Sequence, residues 1–179
     1  MKEKKIKNID LKDVIIKKTT LSDFDFFCQI KSEPSVIYWS GFKKKPNCTQ
    51  LKKWFKKILL TKRAFLNKKR IIYIIHYAGE KAGFFYFDIL NKNTIEISIA
   101  ISEKFQGKGL GRTALKKIIK MIKRDYKKPA IIAWIFDINI ASINVFTRNG
   151  FFPTDETKRK TIRLKNKKEI MRKYIYLWK

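Results

Sequence analysis

Residues 94–122 constrain the fold more than any other part of the chain. TIEISIAI over 94–101 alternates strictly, with Ile95, Ile97, Ile99 and Ile101 on one face and Glu96, Ser98 and Ala100 on the other. That is the period of a half-buried strand. FQGKGLGRTAL over 105–115 then places three of the chain's seven glycines at alternate positions. Behind it Leu110, Leu115, Ile118, Ile119 and Ile122 recur at helical spacing, with Lys116, Lys117, Lys120 and Lys123 on the far side. Strand, glycine loop and helix in succession require a layered sheet-and-helix fold. The helix N-terminus gathers backbone N–H groups at the loop, where an anion is favoured.

The rest of the chain extends this pattern. A short strand is expected at about 13–18, then a helix over LSDFDFFCQIKSE with Ser22 and Asp25 as a capping box. PSVIYWSGFKKKPN reads as an aromatic-rich loop, and CTQLKKWFKKILLTK as an amphipathic helix carrying Leu51, Trp54, Phe55, Ile58 and Leu59. RIIYIIHY and AGFFYFDI form a hairpin. PAIIAWIF reads as a buried strand, INIASINVFTRNG as a helix ending at Gly150, and IMRKYIYLW as the final strand. The fold class is therefore α/β (α+β layered): a central mixed, mostly antiparallel sheet of about six or seven strands flanked by about four helices. The expected division is a basic tail over 1–12 and one domain over 13–179.

Composition narrows the function classes. No run approaches the length of a membrane span, and the basic N-terminus has no apolar segment behind it. Cys28 and Cys48 make neither a metal spacing nor a disulfide framework, so reduced thiols, no metal and a cytoplasmic location are expected. The net charge is +28, from 43 basic against 15 acidic residues. Lysine outnumbers arginine 35 to 8 and isoleucine reaches 28, a bias towards AT-rich codons. A nucleic-acid surface would favour the forked guanidinium more than this. The charge still attracts anions and opposes cations within about 8 Å at physiological salt.

The glycine loop fails two familiar phosphate motifs. A P-loop needs Lys-Ser or Lys-Thr after its last glycine, which is missing here. A dinucleotide fingerprint needs a later third glycine and a downstream acid, where Lys127 and Lys128 stand instead. The segment instead resembles the pyrophosphate loop of the GNAT family of acetyl-CoA-dependent N-acetyltransferases, R/Q-x-x-G-x-G/A, on Gln106, Gly109 and Gly111 with Gly107 as an extra glycine. NIASINVFTRNGF over 139–151 is similar to that family's second motif, N-x-x-A/S-x-x-x-Y/F-x-x-x-G-F. The order of elements also fits, and SEPSVIYWSGFKKKPN over 32–47 is similar to the ribosomal-protein-modifying and related small-molecule branches of the family.

The resemblance implies direct transfer of an acetyl group from acetyl-CoA to a primary amine. Gln106, Gly107, Lys108, Gly109, Gly111 and Arg112 would hold the cofactor diphosphate. Backbone N–H groups of Ile99 and Ile101 would orient and polarise the thioester. Glu96, a carboxylate among isoleucines, is the candidate base. Asn139 would hydrogen-bond the cofactor or cap its helix, or both. Phe146 replaces the tyrosine that often serves as acid, leaving it only a packing role against the cofactor arm. His76 and the two cysteines read as structural.

The acceptor is less determined. Tyr38 and Trp39 would wall its pocket, and the lysines at 43–45 would attract an anion. The charge opposes polyamines and aminoglycosides and suits an acceptor that is anionic overall, such as a nucleotide-linked amino sugar. A protein N-terminus or aminoacyl-tRNA also fits, as does a different class, a basic RNA- or DNA-binding module on a degenerate acetyltransferase fold. A monomer or homodimer is expected.

Overall fold

Alternation along seven strands sets the two faces of one sheet. The computed structural model describes residues 9–60, 69–162 and 166–178. The strands are β1 (Val14–Lys18), β2 (Lys69–Tyr77), β3 (Glu80–Asn91), β4 (Thr94–Ile101), β5 (Ala130–Phe136), β6 (Phe152–Ile162) and β7 (Lys167–Tyr176). Their order across the sheet is β1-β2-β3-β4-β5-β7-β6. Only β4 and β5 run parallel; every other neighbouring pair is antiparallel. The helices are α1 (Phe24–Lys31), α2 (Pro34–Ser40), α3 (Cys48–Leu60), α4 (Leu110–Asp125) and α5 (Ile140–Thr147).

Phe85, Phe87, Ile95 and Ile97 point to one face and pack under α4, through Leu115, Ile118 and Ile122. Ile72, Ile74 and Phe84 point to the other, against Phe24, Phe27 and Phe55 of α1 and α3. At about 25 cal/mol per Å² of apolar surface removed from water, these two layers are the main favourable term. Gly83 lets β3 close on the end of β4. A Cβ there would stand 2.5 Å from the Ala100 carbonyl oxygen, closer than real contacts allow.

Four expectations are corrected. The segment read as an aromatic loop forms α2, a fifth helix among the described residues. Pro34 occupies its first turn and Gly41, at φ 74°, ends it in the left-handed region. Seven residues are too few for an apolar period to show in the sequence. The capping box uses Thr20 and Asp23 rather than Ser22 and Asp25. Asp23 Oδ2 accepts from the Thr20 backbone N–H at 2.8 Å and from the Thr20 hydroxyl at 3.0 Å. Asp23 also pairs with Lys81 at 2.7 Å. Lys117 is not simply solvated: its ammonium donates to the carbonyls of Leu11, at 3.2 Å, and Val14.

The fourth correction concerns the cysteines. Cys28 and Cys48 form a disulfide with their Cα atoms 6.2 Å apart, tying α1 to the first residue of α3. Cysteine spacing alone carried no sign of this, because the pairing depends on how the two helices lie together. Closing a loop of that length stabilises by about 3 kcal/mol in the chain-entropy account. No helix among the described residues is long and apolar enough to cross a membrane. Residues 1–8 of the expected basic tail, and the last two residues of the helix expected over 48–62, lie outside the described residues.

Candidate active site

The site begins where two strands part. β4 pairs with β5 only through Thr94↔Ala130, Ile95↔Ile131 and Glu96↔Ile132. β3 stays paired with β4 as far as Gly83↔Ile101. The second half of β4 therefore has a partner on one side and a wedge on the other. The Ser102 N–H donates to the Ala82 carbonyl at 2.9 Å. Since successive strand residues point their polar groups to opposite sides, Ile99 and Ile101 turn theirs into the wedge. The Ile101 carbonyl, on that side, accepts Gln106 Nε2 at 2.8 Å.

Two cavities meet at this wedge. The first, about 490 Å³, lies on the α1 face and is lined by Glu96, Ser98, Lys31, Arg70, Tyr86 and Trp134 among others. The second, about 670 Å³, runs along the glycine loop to α5 and includes Lys108, Arg112 and Arg148. Trp39, Ile99, Ile101, Gln106, Asn139 and Ser142 line both.

Backbone builds the second cavity. Gly107 and Gly109 have φ of 73° and 84°, and a Cβ on either would enter open space. Gly109 is the N-cap of α4, so the first-turn N–H groups of Leu110, Gly111 and Arg112 lack intrahelical acceptors. Substitution at Gly109 would strain the backbone even though there is room for the side chain. Gly111 faces Val145 and Ile101 across α5 and β4 at ordinary contact distances. Lys108 is partly committed, donating to the Lys104 carbonyl at 3.0 Å. Asn139 caps α5 by accepting from the Ser142 N–H at 3.0 Å.

Side chains build the first cavity. Glu96 lies in register with Asp88, which lies in register with Arg70. Arg70 grips Asp88 through two bonds, Nε to Oδ1 at 2.7 Å and Nη2 to Oδ2 at 2.6 Å. Burial works against the Arg70 charge, but the Asp88 hydrogen bonds outweigh it and raise its pKa. Arg70 also stacks on Tyr86, its Cζ 4.2 Å from the ring centroid. Burial pushes the Tyr86 phenol up, against the opposing pull of Arg70 and a hydrogen bond with Ser98. Glu96 is thus left as the carboxylate lining the cavity.

A double clasp fixes the join between α2 and β4. Glu33, before α2, accepts from the Ser102 hydroxyl at 2.6 Å and the Glu103 N–H at 2.9 Å. Glu103 in turn accepts the Ser35 N–H at 2.8 Å, and Gln106 Nε2 reaches the Ser35 hydroxyl at 3.2 Å.

The structure brings together Glu96, Ile99, Ile101, Gln106, Asn139, Trp39 and the loop residues. Phe146 is buried edge-on against Phe151, with centroids 4.9 Å apart, and lines the first cavity. Tyr38 lines neither cavity; it packs edge-on behind Trp39. Lys43, Lys44 and Lys45 are exposed and line neither. His76 is half-buried on β2, outside both cavities, its pKa lowered by burial and then by Lys17 and Lys81. Sequence reasoning missed Lys31, Arg70 and Lys160. For Lys31 a signal existed: Phe24, Phe27, Cys28 and Lys31 fall at i, i+3, i+4, i+7, and all four are buried.

The chain is similar to known proteins in sequence and in fold. The spermine/spermidine N(1)-acetyltransferase of Bacillus subtilis (strain 168) is 34% identical over 85 residues, covering 43% of this chain and 56% of that protein. The match thus spans about half the length of that curated relative. In fold, the chain is similar to a spermidine N-acetyltransferase from Vibrio cholerae solved with CoA and spermine, with TM-score 0.81 and 12% identity over 93% of this chain and 96% of that one. It is also similar to the aminoglycoside acetyltransferase AAC(6')-Ib in complex with coenzyme A, with TM-score 0.74 and 14% identity over 92% of this chain and 94% of that one. The family model for the acetyltransferase (GNAT) domain matches residues 13–152, so the chain belongs to the GNAT acetyltransferase domain family.

Proposed function

We propose that the protein transfers the acetyl group of acetyl-CoA directly to a primary amine. The observation that carries this reading is the parting of β4 and β5 after Glu96, which joins two cavities at the Ile99 and Ile101 backbone. Acetyl-CoA would supply the activated acyl group. Gly107 and Gly109 leave open space, and the helix N-terminus that follows at Leu110 offers the N–H groups a diphosphate needs, with Lys108, Arg112 and Arg148 adding charge. Ile99 and Ile101 aim N–H groups at the wedge, where they stabilise negative charge building on the acyl oxygen. Glu96, reaching through water, takes a proton from the amine. The bond formed joins nitrogen to the acyl carbon, and the bond broken joins that carbon to sulphur. Ser142, which lines both cavities, would pass a proton from solvent to the leaving sulphur, since Phe146 has none to give.

Trp39 walls the junction, whereas Tyr38 supports it from behind. Polyamine is the acceptor named for the Bacillus subtilis relative. A chain of net charge +28 opposes the approach of a polycation, which favours an amine that carries negative charge. Released thiol, followed with acetyl-CoA and a panel of amines, tests the reading. Turnover is expected with at least one amine. Absence of acetyl-CoA binding at millimolar concentration overturns it.

A further inference from the structure

Lys31 ends α1 at the floor of the first cavity and is only 8% exposed. Among the described residues no carboxylate or hydrogen-bond acceptor meets its ammonium. Instead Nζ is enclosed by the rings of Phe27, Phe42, Phe84 and Tyr86, at 5.1 to 5.8 Å from their centroids. Lysine buried without a counter-ion is rare, and the ammonium is expensive to hold there. Its neighbours increase that strain. Burial first, then the charges of Arg70 and Lys160, lower its pKa to about 8.

The charges lining the cavity agree. Lys31, Arg70, Lys158 and Lys160 line it, against Glu96 as the carboxylate. Asp88 answers Arg70. Lys160 reaches across from β6, its Cε 3.2 Å and Nζ 3.8 Å from where a Gly41 Cβ would lie, and its Nζ is 6.0 Å from the Phe136 ring. An anion placed in this cavity would meet the ammonium of a largely buried lysine that no carboxylate among the described residues answers, and further positive charge.

We propose that Lys31, supported by Arg70 and Lys160, forms an anion subsite in the acceptor cavity, so that the acceptor is a primary amine also bearing a phosphate or carboxylate. The inference rests on the acetyl-transfer reading for the amine, but the anion subsite itself does not. One cavity then holds both ends of the acceptor: Glu96 meets the ammonium, and Lys31 meets the anion. The rings around Lys31 lower the local polarity and strengthen that contact. A polyamine, lacking an anion, leaves Lys31 unpaired and adds repulsion.

Two measurements test this and separate it from acetyl transfer. With coenzyme A already bound to fill the glycine loop, inorganic phosphate and acetate are titrated calorimetrically into wild type, Lys31→Met and Lys120→Met, the last an exposed control on the outer face of α4. At least one anion is expected to bind wild type and Lys120→Met, and about tenfold or more weaker to Lys31→Met. The anion that binds tells phosphate from carboxylate. Equal binding in all three proteins, or none in wild type, overturns the subsite. The second measurement compares kcat/KM for glucosamine 6-phosphate against glucosamine, for glutamate against glutamine, and for spermidine. A preference for the anionic member of either pair, collapsing towards one in Lys31→Met, supports the proposal. Turnover that favours spermidine or the neutral members overturns it while leaving acetyl transfer standing. Lack of coenzyme A binding would instead sink the transfer reading.

Discussion

The two halves of the cleft are built from different materials. On the side proposed for the cofactor, main chain does the work: glycines at positive φ, a helix N-terminus and the open edge of β4. On the side proposed for the acceptor, side chains from α1, β2, β4 and β6 converge on one cavity. Backbone donors suit a ligand portion that never varies. Side chains can be exchanged without disturbing the frame, so the acceptor half is where specificity can change.

If this division is real, substitutions should separate the two halves. The largest effect is expected at Glu96. Glu96→Gln should lower kcat/KM by about a thousandfold, leaving the acetyl-CoA Kd unchanged by calorimetry. A loss of less than about tenfold would remove Glu96 as the base.

Lys31→Met should next show the acceptor half trading stability for recognition. Lys31 has a pKa of about 8 in the fold, against 10.5 ordinarily. Below pH 8 the fold therefore holds a charge it disfavours, which costs about 3 kcal/mol. The variant should be more stable than wild type by about that amount at pH 7, measured by denaturant unfolding. The gain should fade as the pH rises from 8 to 10.5, where the unfolded lysine also loses its proton. The residues that oppose its charge are Arg70 on β2 and Lys160 on β6, while Tyr86 on β3 and Phe27 and Phe42 face it with rings.

Gly109→Val acts only on the cofactor half. A β-branched residue forced to φ 84° should distort the loop and raise the acetyl-CoA Kd by about a hundredfold. Anion binding at Lys31 should persist. Smallest of all, Gln106→Ala removes the bonds to the Ser35 hydroxyl and the Ile101 carbonyl. It should lower stability by about 1 kcal/mol, and it alone should raise both the acetyl-CoA and the acceptor KM, because Gln106 links the halves. Effects confined to one KM would show that the halves are independent.

The same contrast explains what the sequence revealed. The alternation of TIEISIAI and the glycine spacing after it are local, so β4, the loop and α4 could be read residue by residue. The Asn139 cap was legible for the same reason. The acceptor cavity depends on which strands lie side by side, and no local period encodes that. Arg70, Glu96 and Lys160 stand far apart in the chain and meet only through the sheet order. Helix α2 was hidden by its brevity, and the Cys28–Cys48 bond by its dependence on the packing of α1 against α3. Lys31 was different: its position on the apolar stripe of α1 was visible, but lysine is usually discounted as solvated.

The central claim is that the wedge between β4 and β5 binds acetyl-CoA through the glycine loop. Thermal unfolding with and without 1 mM acetyl-CoA, for wild type and Gly109→Val side by side, tests it most directly. For a Kd of about 10 μM the wild-type Tm should rise by about 5 °C or more, and the variant's should rise far less. No shift in wild type, or equal shifts in both proteins, would contradict the account.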